Sequence, residues 1–244
     1  MSAPSAIIEV TGLRAGYGDG PDILHGIDLR VFAGEIVTIL GPNGCGKSTL
    51  LKAIGGFVEP RAGRIAIEGE DVGAVPVHRR IREHRIGFVP QTDNVFRTMS
   101  VAENIMLGAR LLPAREQWAR FFSLMDTYPA LAGKRDRRAS ALSGGERQLL
   151  SVARALIAGP TVLLLDEPSA GLSPVMMDEV FDEIVRIRER TGMTILMVEQ
   201  NAVQALSVSD RAYVLSLGRV AIEQPAPELL ANPTLAGLYF GAAA

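Results

Sequence analysis

The sequence has almost no cysteine and no long apolar run. Cys45 is the single cysteine among 244 residues, which excludes an intrachain disulfide. No apolar stretch approaches the roughly 20 residues that a membrane-spanning helix needs, since the richest run, 162–165, ends at Asp166 and Glu167. The first residues lack a basic segment followed by an apolar one, so no signal peptide is predicted. Any role at a membrane is therefore expected to depend on a partner.

An excess of charge of either sign is also missing. Lys and Arg number 25 against 27 Asp and Glu, giving a formal net charge of −2. General nucleic-acid binders usually carry a marked basic excess, so no nucleic-acid partner is expected. Apolar residues make up 48% of the chain, which excludes wholesale disorder. The arginine-rich segments 79–85 and 134–138 are interpreted as solvated surface, with contact to anionic lipid headgroups or to an acidic loop of a partner as the alternative.

Short apolar runs alternate with helical patterns along most of the chain. Several runs are apolar at consecutive positions, which favours central parallel strands that are covered on both faces. The segments 7–10 and 26–31 are instead typical of antiparallel, half-exposed strands. The predicted strands are 7–10, 36–40, 65–67, 86–89, 162–165, 194–198 and 212–215. The predicted helices are 47–54, 101–112, 115–127, 146–158, 174–189 and 202–208.

A helix-rich block from about residue 95 to 158 interrupts the alternation of strands and helices. This order predicts an α/β fold with an inserted helical subdomain. The nucleotide-binding core is then expected at about 6–94 and 159–223, and residues 224–244 are expected to form short helical turns on its surface, with a frayed end.

Residues 41–48 match the phosphate-loop pattern G-x-x-x-x-G-K-[ST], between a predicted strand and a predicted helix. Glycines let successive backbone N–H groups point at an anion, and the helix N-terminus adds a positive dipole end. Lys47 is expected to reach the β- and γ-phosphates, and the Ser48 hydroxyl to bind Mg²⁺. The alternative is a glycine-rich turn without a ligand. The expected nucleotide-binding residues here are Gly41, Pro42, Asn43, Gly44, Cys45, Gly46, Lys47, Ser48 and Thr49.

Cys45 occupies a variable position of this loop, where a small residue fits. A thiol beside Lys47 could instead have a lowered pKa and react with alkylating agents.

Two acids follow the apolar run 162–165. Ligands of open parallel sheets bind beyond the carboxyl ends of the strands, so Asp166 is expected to hold Mg²⁺. Glu167 is expected to polarise a water for in-line attack on the γ-phosphorus. The alternative is a strand whose end is merely exposed to solvent. The presence of a phosphate loop in the same chain favours the catalytic interpretation.

Residues 142–148, Leu-Ser-Gly-Gly-Glu-Arg-Gln, combine a helix cap with two glycines. Ser143 and Glu146 form a capping-box pattern, and Gly144 and Gly145 leave bare amides at a helix N-terminus. This heptapeptide resembles the signature motif of ATP-binding cassette (ABC) ATPases. The resemblance covers nearly the whole chain and implies a RecA-like P-loop core with an antiparallel β subdomain and an inserted helical subdomain.

The resemblance also implies roles for residues outside these motifs. Tyr17 corresponds to the aromatic residue that stacks on adenine, and Gln91 to the glutamine that reaches Mg²⁺ or the attacking water. The segment 169–172 corresponds to the loop that crosses between subunits. ATP would lie in a head-to-tail dimer, between the phosphate loop of one chain and Ser143, Gly144 and Gly145 of the other. Residues after Gln91, including Val95, Phe96 and Met99, are expected to line a docking groove for the membrane subunits, with ordinary core as the alternative.

One position departs from the family pattern. The family usually has a histidine at the switch position that Gln200 occupies here. Glutamine can hydrogen-bond the γ-phosphate but cannot titrate near neutral pH, so it cannot shuttle a proton. The neighbouring Glu199 is interpreted as a solvated residue at the start of a helix.

Three local strings, 87–91, 169–174 and 198–201, resemble the smaller ATPase subunit of branched-chain amino-acid importers. This implies MgATP as the cofactor. The implied partners are a homologous, different ATPase chain, with a homodimer as the alternative, two permease subunits and an external binding protein. It places the chain at the cytoplasmic face of the inner membrane, as a peripheral subunit. ATPases of urea or short-chain amide importers are the nearest alternative. A soluble ABC ATPase that acts on nucleic acid or the ribosome is the alternative from another class.

Overall fold

The computed structural model describes residues 5–92, 94–110 and 112–232. Its strands are β1 (Ala6–Ala15), β2 (Leu24–Phe32), β3 (Ile36–Leu40), β4 (Pro60–Ile67), β5 (Glu70–Asp71), β6 (Ile86–Val89), β7 (Val162–Asp166), β8 (Thr194–Val198), β9 (Arg211–Ser216) and β10 (Arg219–Pro225). Its α-helices are α1 (Lys47–Gly55), α2 (Val77–Glu83), α3 (Val101–Ala109), α4 (Ala114–Thr127), α5 (Pro129–Ala132), α6 (Gly144–Leu156), α7 (Pro174–Thr191), α8 (Ala202–Val208) and α9 (Ala226–Leu230). A single 3₁₀ turn among these residues spans Ala139–Ala141.

Two sheets form the α/β part of the fold. One is antiparallel, in the order β2-β1-β4-β5, and the other follows the order β10-β9-β3-β8-β7-β6. In the second sheet β10 pairs antiparallel with β9, and the remaining neighbours are parallel. Strands β3, β7 and β8 are buried at every position, as their consecutive apolar residues predict.

The two faces of the parallel sheet belong to different apolar clusters. One face packs with α1 and the antiparallel sheet, through residues such as Leu50, Ile54 and Leu164. The other face packs with α7, α8 and α9, through residues such as Phe181 and Leu206. The phosphate loop and α1 are therefore held between the sheets, against the carboxyl ends of the parallel strands.

Helices α3 to α6 are inserted between β6 and β7 and enclose a third apolar cluster, which includes Ile105, Phe121 and Leu150. The expected α/β fold with an antiparallel subdomain and a helical insertion is thus confirmed. The division of the chain at about residues 95 and 158 stays a prediction.

Five short elements that the sequence analysis did not predict complete the fold. Three of them are β5, α5 and the 3₁₀ turn. The other two are the charged helix α2 and the edge strand β10, in which exposed and half-buried residues alternate. The predicted helix at 101–112 ends earlier, at Ala109. At the C-terminal end, α9 buries Ala226 and Leu229, which agrees with the expected helical turns, whereas residues 233–244 of that prediction lie outside the described residues.

The interpretation of residues 79–85 as solvated surface is wrong for Arg80. Its side chain is fully buried and donates hydrogen bonds to the carbonyl oxygens of Ala53, Ile54, Gly73 and Val75 at 2.7–3.0 Å. Carbonyl groups at the end of a helix lack intrahelical partners, and the negative end of the helix dipole attracts a cation. Arg80 therefore closes the C-terminal end of α1.

Within the part of the chain that the structure describes, no helix is both long and apolar enough to cross a membrane.

Candidate functional site

The phosphate loop lies between β3 and α1, and close contacts leave no room for a side chain at two of its positions. A Cβ atom on Gly41 would lie 2.2 Å from the carbonyl oxygen of Leu215, and one on Gly46 would lie 2.8 Å from a methyl carbon of Leu24. Both glycines also have positive φ angles, of 144° and 105°. Helix α1 begins directly after Gly46 without a side-chain cap, so its first N–H groups are available to an anion.

Lys47 is buried at the start of α1, and its ammonium group folds back over the loop. Nζ donates hydrogen bonds to the carbonyl oxygens of Gly41 at 2.9 Å and Pro42 at 3.2 Å. The loop residues Pro42, Asn43 and Gly44 are exposed. A fixed cation beside exposed backbone amides is an arrangement that can bind a phosphate chain.

The interpretation of Cys45 as a small residue that fits agrees with its 5% exposure, whereas the reactive-thiol alternative needs a lowered pKa, which burial opposes. Burial raises the pKa of the Cys45 thiol despite the nearby charge of Lys47. Thr49, one residue after Ser48, is buried in α1 and faces the interior.

Asp166 ends β7 and meets the first turn of α1. The hydroxyl of Ser48 donates a 2.7 Å hydrogen bond to Asp166 Oδ1, and burial raises the pKa of Asp166. A hydroxyl and a buried carboxylate side by side are hard oxygen donors of the kind Mg²⁺ prefers. No group of three or more His, Cys, Asp or Glu residues suited to a metal occurs in the described ranges. This donor set fits an ion that takes its other ligands from phosphate and water, as Mg²⁺ usually does.

Glu167 is the point at which three separate segments meet. Gln91 Nε2 donates to Glu167 Oε2 at 2.5 Å, and Gln200 Nε2 donates to the same oxygen at 2.8 Å. Gln91, Glu167 and Gln200 come shortly after β6, β7 and β8, which are neighbours in the sheet. The strand order therefore brings them together, although 33 and 76 residues separate the two glutamines from Glu167 in sequence.

The signature segment caps α6. The Ser143 hydroxyl accepts a hydrogen bond from the Glu146 N–H, and the Glu146 carboxylate accepts one from the Ser143 N–H, at 3.2 and 3.0 Å. Lys134 also pairs with Glu146. Gly144 lies close to the Leu172 side chain, because a Cβ atom on Gly144 would be only 3.3 Å from it. The first turn of α6 is thus pre-formed beside the segment 169–172.

Tyr17 follows β1 and leaves 49% of its surface exposed, which keeps its ring available for stacking. Among the described residues, no hydrogen bond connects the Tyr17 side chain to the phosphate loop, Asp166 or Glu167.

The interpretation of Glu199 as a solvated residue is wrong. It is 1% exposed, and its carboxylate accepts hydrogen bonds from the Ser169 N–H and hydroxyl, both at 2.9 Å, and from the Gln200 N–H at 3.1 Å. Burial raises the pKa of Glu199. One signal could have indicated this position, because an acid that directly follows a buried parallel strand lies at the same sheet edge as Asp166 and Glu167.

Comparisons with known proteins agree with this geometry. The family model described as ABC transporter matches residues 24–170. The probable branched-chain amino acid transport ATP-binding protein LivF of Archaeoglobus fulgidus is 40% identical over 96% of this chain and 99% of its own length. The high-affinity branched-chain amino acid transport ATP-binding protein BraG of Pseudomonas aeruginosa is 39% identical over 89% of this chain and 93% of its own length.

Solved structures give the same result for the fold. A nucleotide-free ATP-binding cassette from an ABC transporter superimposes with a TM-score of 0.83 at 25% identity, covering 95% of this chain and 98% of that one. A dimeric ATP-binding cassette in a post-hydrolysis state, bound to ADP and Pi, superimposes with a TM-score of 0.78 at 25% identity, covering 90% and 98%.

Proposed function

The chain belongs to the ABC transporter family as one of its ATP-binding ATPase subunits, and we propose that it drives the import of branched-chain amino acids. The observation that carries the hydrolytic part is the Glu167 carboxylate, which two amide donors hold beside the phosphate loop. The observation that supports the substrate is the near full-length similarity to the LivF and BraG proteins.

In this proposal the phosphate loop and Lys47 hold the phosphates of ATP, and Tyr17 stacks on the adenine. Nucleotide would displace the Lys47 ammonium from its two carbonyl partners, since a phosphate oxygen is a stronger acceptor. Ser48, Asp166 and Gln91 would hold Mg²⁺, which when bound neutralises phosphate charge.

Glu167 acts as the general base for the attacking water. Because Gln91 and Gln200 both donate to Oε2, they fix the direction in which the carboxylate points. Gln200 carries no titratable proton, so the proton must pass to Glu167 or to the phosphate of the substrate itself. The cycle therefore needs no histidine at this position.

A second ATPase chain completes the site. Ser143, Gly144 and Gly145 lie at a helix N-terminus, which suits them to contact the nucleotide bound to the other subunit. The dimer seen for the related cassette with ADP and Pi supports this arrangement. Similarity to the importer subunits favours a homologous, different partner at the cytoplasmic face of the inner membrane.

Permease subunits would dock in an apolar groove of about 350 Å³ between the core and the helical insertion. Phe57, Phe88 and Phe96 line it, and Phe96 is 53% exposed with the Arg154 guanidinium over its ring. Of the expected groove residues, Val95 belongs to the core of the insertion, since it is 8% exposed within that cluster. Met99 does not line this groove, and its role in docking stays a prediction from the sequence.

Replacing the base tests the hydrolytic part directly. In Glu167→Gln the amide oxygen can still accept a hydrogen bond, so ATP binding should persist while hydrolysis is largely lost. Glu189→Gln, an exposed substitution on α7, is the matched control and should behave as wild type. Undiminished turnover in Glu167→Gln would remove Glu167 from the role of base.

A further inference from the structure

Glu199 is a buried carboxylate to which the proposed reaction gives no task. It directly follows β8, its own N–H donates to the carbonyl oxygen of Ile39 at 3.2 Å, and its side chain accepts three hydrogen bonds. A buried charge is costly unless hydrogen bonds compensate it. A solvated role is excluded, and the position of its partners indicates what it does instead.

Two of these partners lie next to the reacting carboxylate. Ser169 comes two residues after Glu167, and Gln200 donates to Glu167 through its side chain. Oε1 of the Glu199 carboxylate accepts from the Ser169 N–H, and Oε2 accepts from both the Ser169 hydroxyl and the Gln200 N–H. It thus joins the segment that follows the base to the residue that orients the base.

The backbone at Glu167 needs such support. Its φ angle is 48°, in the left-handed region, which costs a non-glycine residue roughly 1 kcal/mol or more and persists only where the surroundings over-determine it. The Glu167 N–H donates to the carbonyl oxygen of Val198 at 2.9 Å, and the Ala170 N–H donates to the Glu167 carbonyl at 3.1 Å. The bond from the Ser169 N–H to Glu199 supplies the next restraint along this turn.

We infer that Glu199 is a positioning residue that holds Glu167 and Gln200 in the relative positions that hydrolysis requires. The inference rests on the proposed function of Glu167 as the base. Since Leu172 packs against Gly144, the same carboxylate also fixes the segment 169–172 that adjoins the signature. Glu199 acts through other residues and makes no contact with the reacting atoms.

Glu199→Gln is an informative variant because its hydrogen bonds cannot all be kept. If the amide oxygen takes the Oε1 position, it accepts from the Ser169 N–H, and the amide nitrogen then faces the N–H of Gln200. In the other orientation, the amide nitrogen faces the N–H of Ser169. Either way two donors oppose each other and one buried N–H group loses its acceptor, with almost no change in volume.

The experiment measures ATP hydrolysis and nucleotide affinity for the full-length chain assembled with its partner ATPase chain and the permease subunits. We expect kcat of Glu199→Gln to fall about tenfold with KM for MgATP within about twofold of wild type, since one buried hydrogen bond near the base is lost. If Glu199 acts through Gln200, the losses of Glu199→Gln and Gln200→Ala will not multiply in the double variant. A purely structural role predicts multiplying losses, and Glu189→Gln is the control.

Ser169→Ala keeps the Glu199 carboxylate and removes only the hydroxyl donor, so it serves if Glu199→Gln folds poorly. Its kcat should fall about threefold, again without a change in KM. The inference is overturned, and the proposed function is left intact, if the wild type is active and Glu199→Gln has the same kcat. If only Ser169→Ala folds, a wild-type kcat in that variant has the same meaning. Fully multiplying losses in the double variant overturn it as well. A wild-type assembly that binds ATP and never hydrolyses it overturns the proposed function instead.

Discussion

The switch residue offers the sharpest test of the hydrolytic site. Gln200→Ala removes one of the two amide donors that converge on Glu167 Oε2. Glu167 is only 7% exposed, so water replaces the lost donor poorly. A hydrogen bond to a charged group contributes about 1.5–3 kcal/mol, which corresponds to a loss in rate of roughly 10- to 100-fold if it is realised in the transition state.

The structure favours the lower end of that range, because Gln91 still donates to the same oxygen in the variant. The assay is steady-state phosphate release at saturating MgATP, together with nucleotide binding, which should stay near wild type. Gln204→Ala, on the same segment of chain and half-buried, is the matched control. Wild-type kcat in Gln200→Ala would refute the claim that this amide holds the base.

Three further predictions concern single side chains. Cys45 should react slowly with iodoacetamide near neutral pH and much faster after unfolding in urea, because burial raises the pKa of its thiol; equal rates would contradict this. Arg80→Met should lower the free energy of unfolding by about 3 kcal/mol or more in urea titrations, since four carbonyl groups lose their donor, whereas the exposed Arg79→Met should cost little. Hydrogen bonds from Lys134 and from the Ser143 N–H lower the pKa of Glu146. The ionised carboxylate therefore stabilises the fold above the ordinary pKa of a glutamate, and this stabilisation is lost as the pH falls through the lowered pKa. Glu146→Gln should flatten the rise in the free energy of unfolding between about pH 3 and 5.

The parts of the fold that depend on local sequence were predictable. Consecutive apolar residues predicted the buried strands β3, β7 and β8, and the glycine pattern predicted the loop between β3 and α1. The capping-box spacing predicted Ser143 as the cap of α6, although the helix begins at Gly144 and not at the predicted residue 146. Each of these signals lies within a few residues of the element that it specifies.

The parts that depend on strand order were not predictable from the residues alone. That Gln91 and Gln200 meet at a single oxygen of Glu167 follows from the adjacency of β6, β7 and β8, which no local pattern specifies. Arg80 and Glu199 were misjudged for the same reason, since charged residues are usually solvated and only tertiary structure supplies the partners that bury them. The resemblance to a family supplied the roles of these glutamines but gave no role to either misjudged residue.

The most direct test of the central claim is transport by the complete system. Uptake of labelled leucine and labelled urea would be measured in cells that lack this gene, complemented with wild type or with Lys47→Ala. The account predicts that wild type restores leucine uptake and that Lys47→Ala, which lacks the cation of the phosphate loop, does not. Restored urea uptake without leucine uptake would keep the ATPase and contradict the proposed substrate, and leucine uptake restored equally by Lys47→Ala would contradict the claim that this site drives transport.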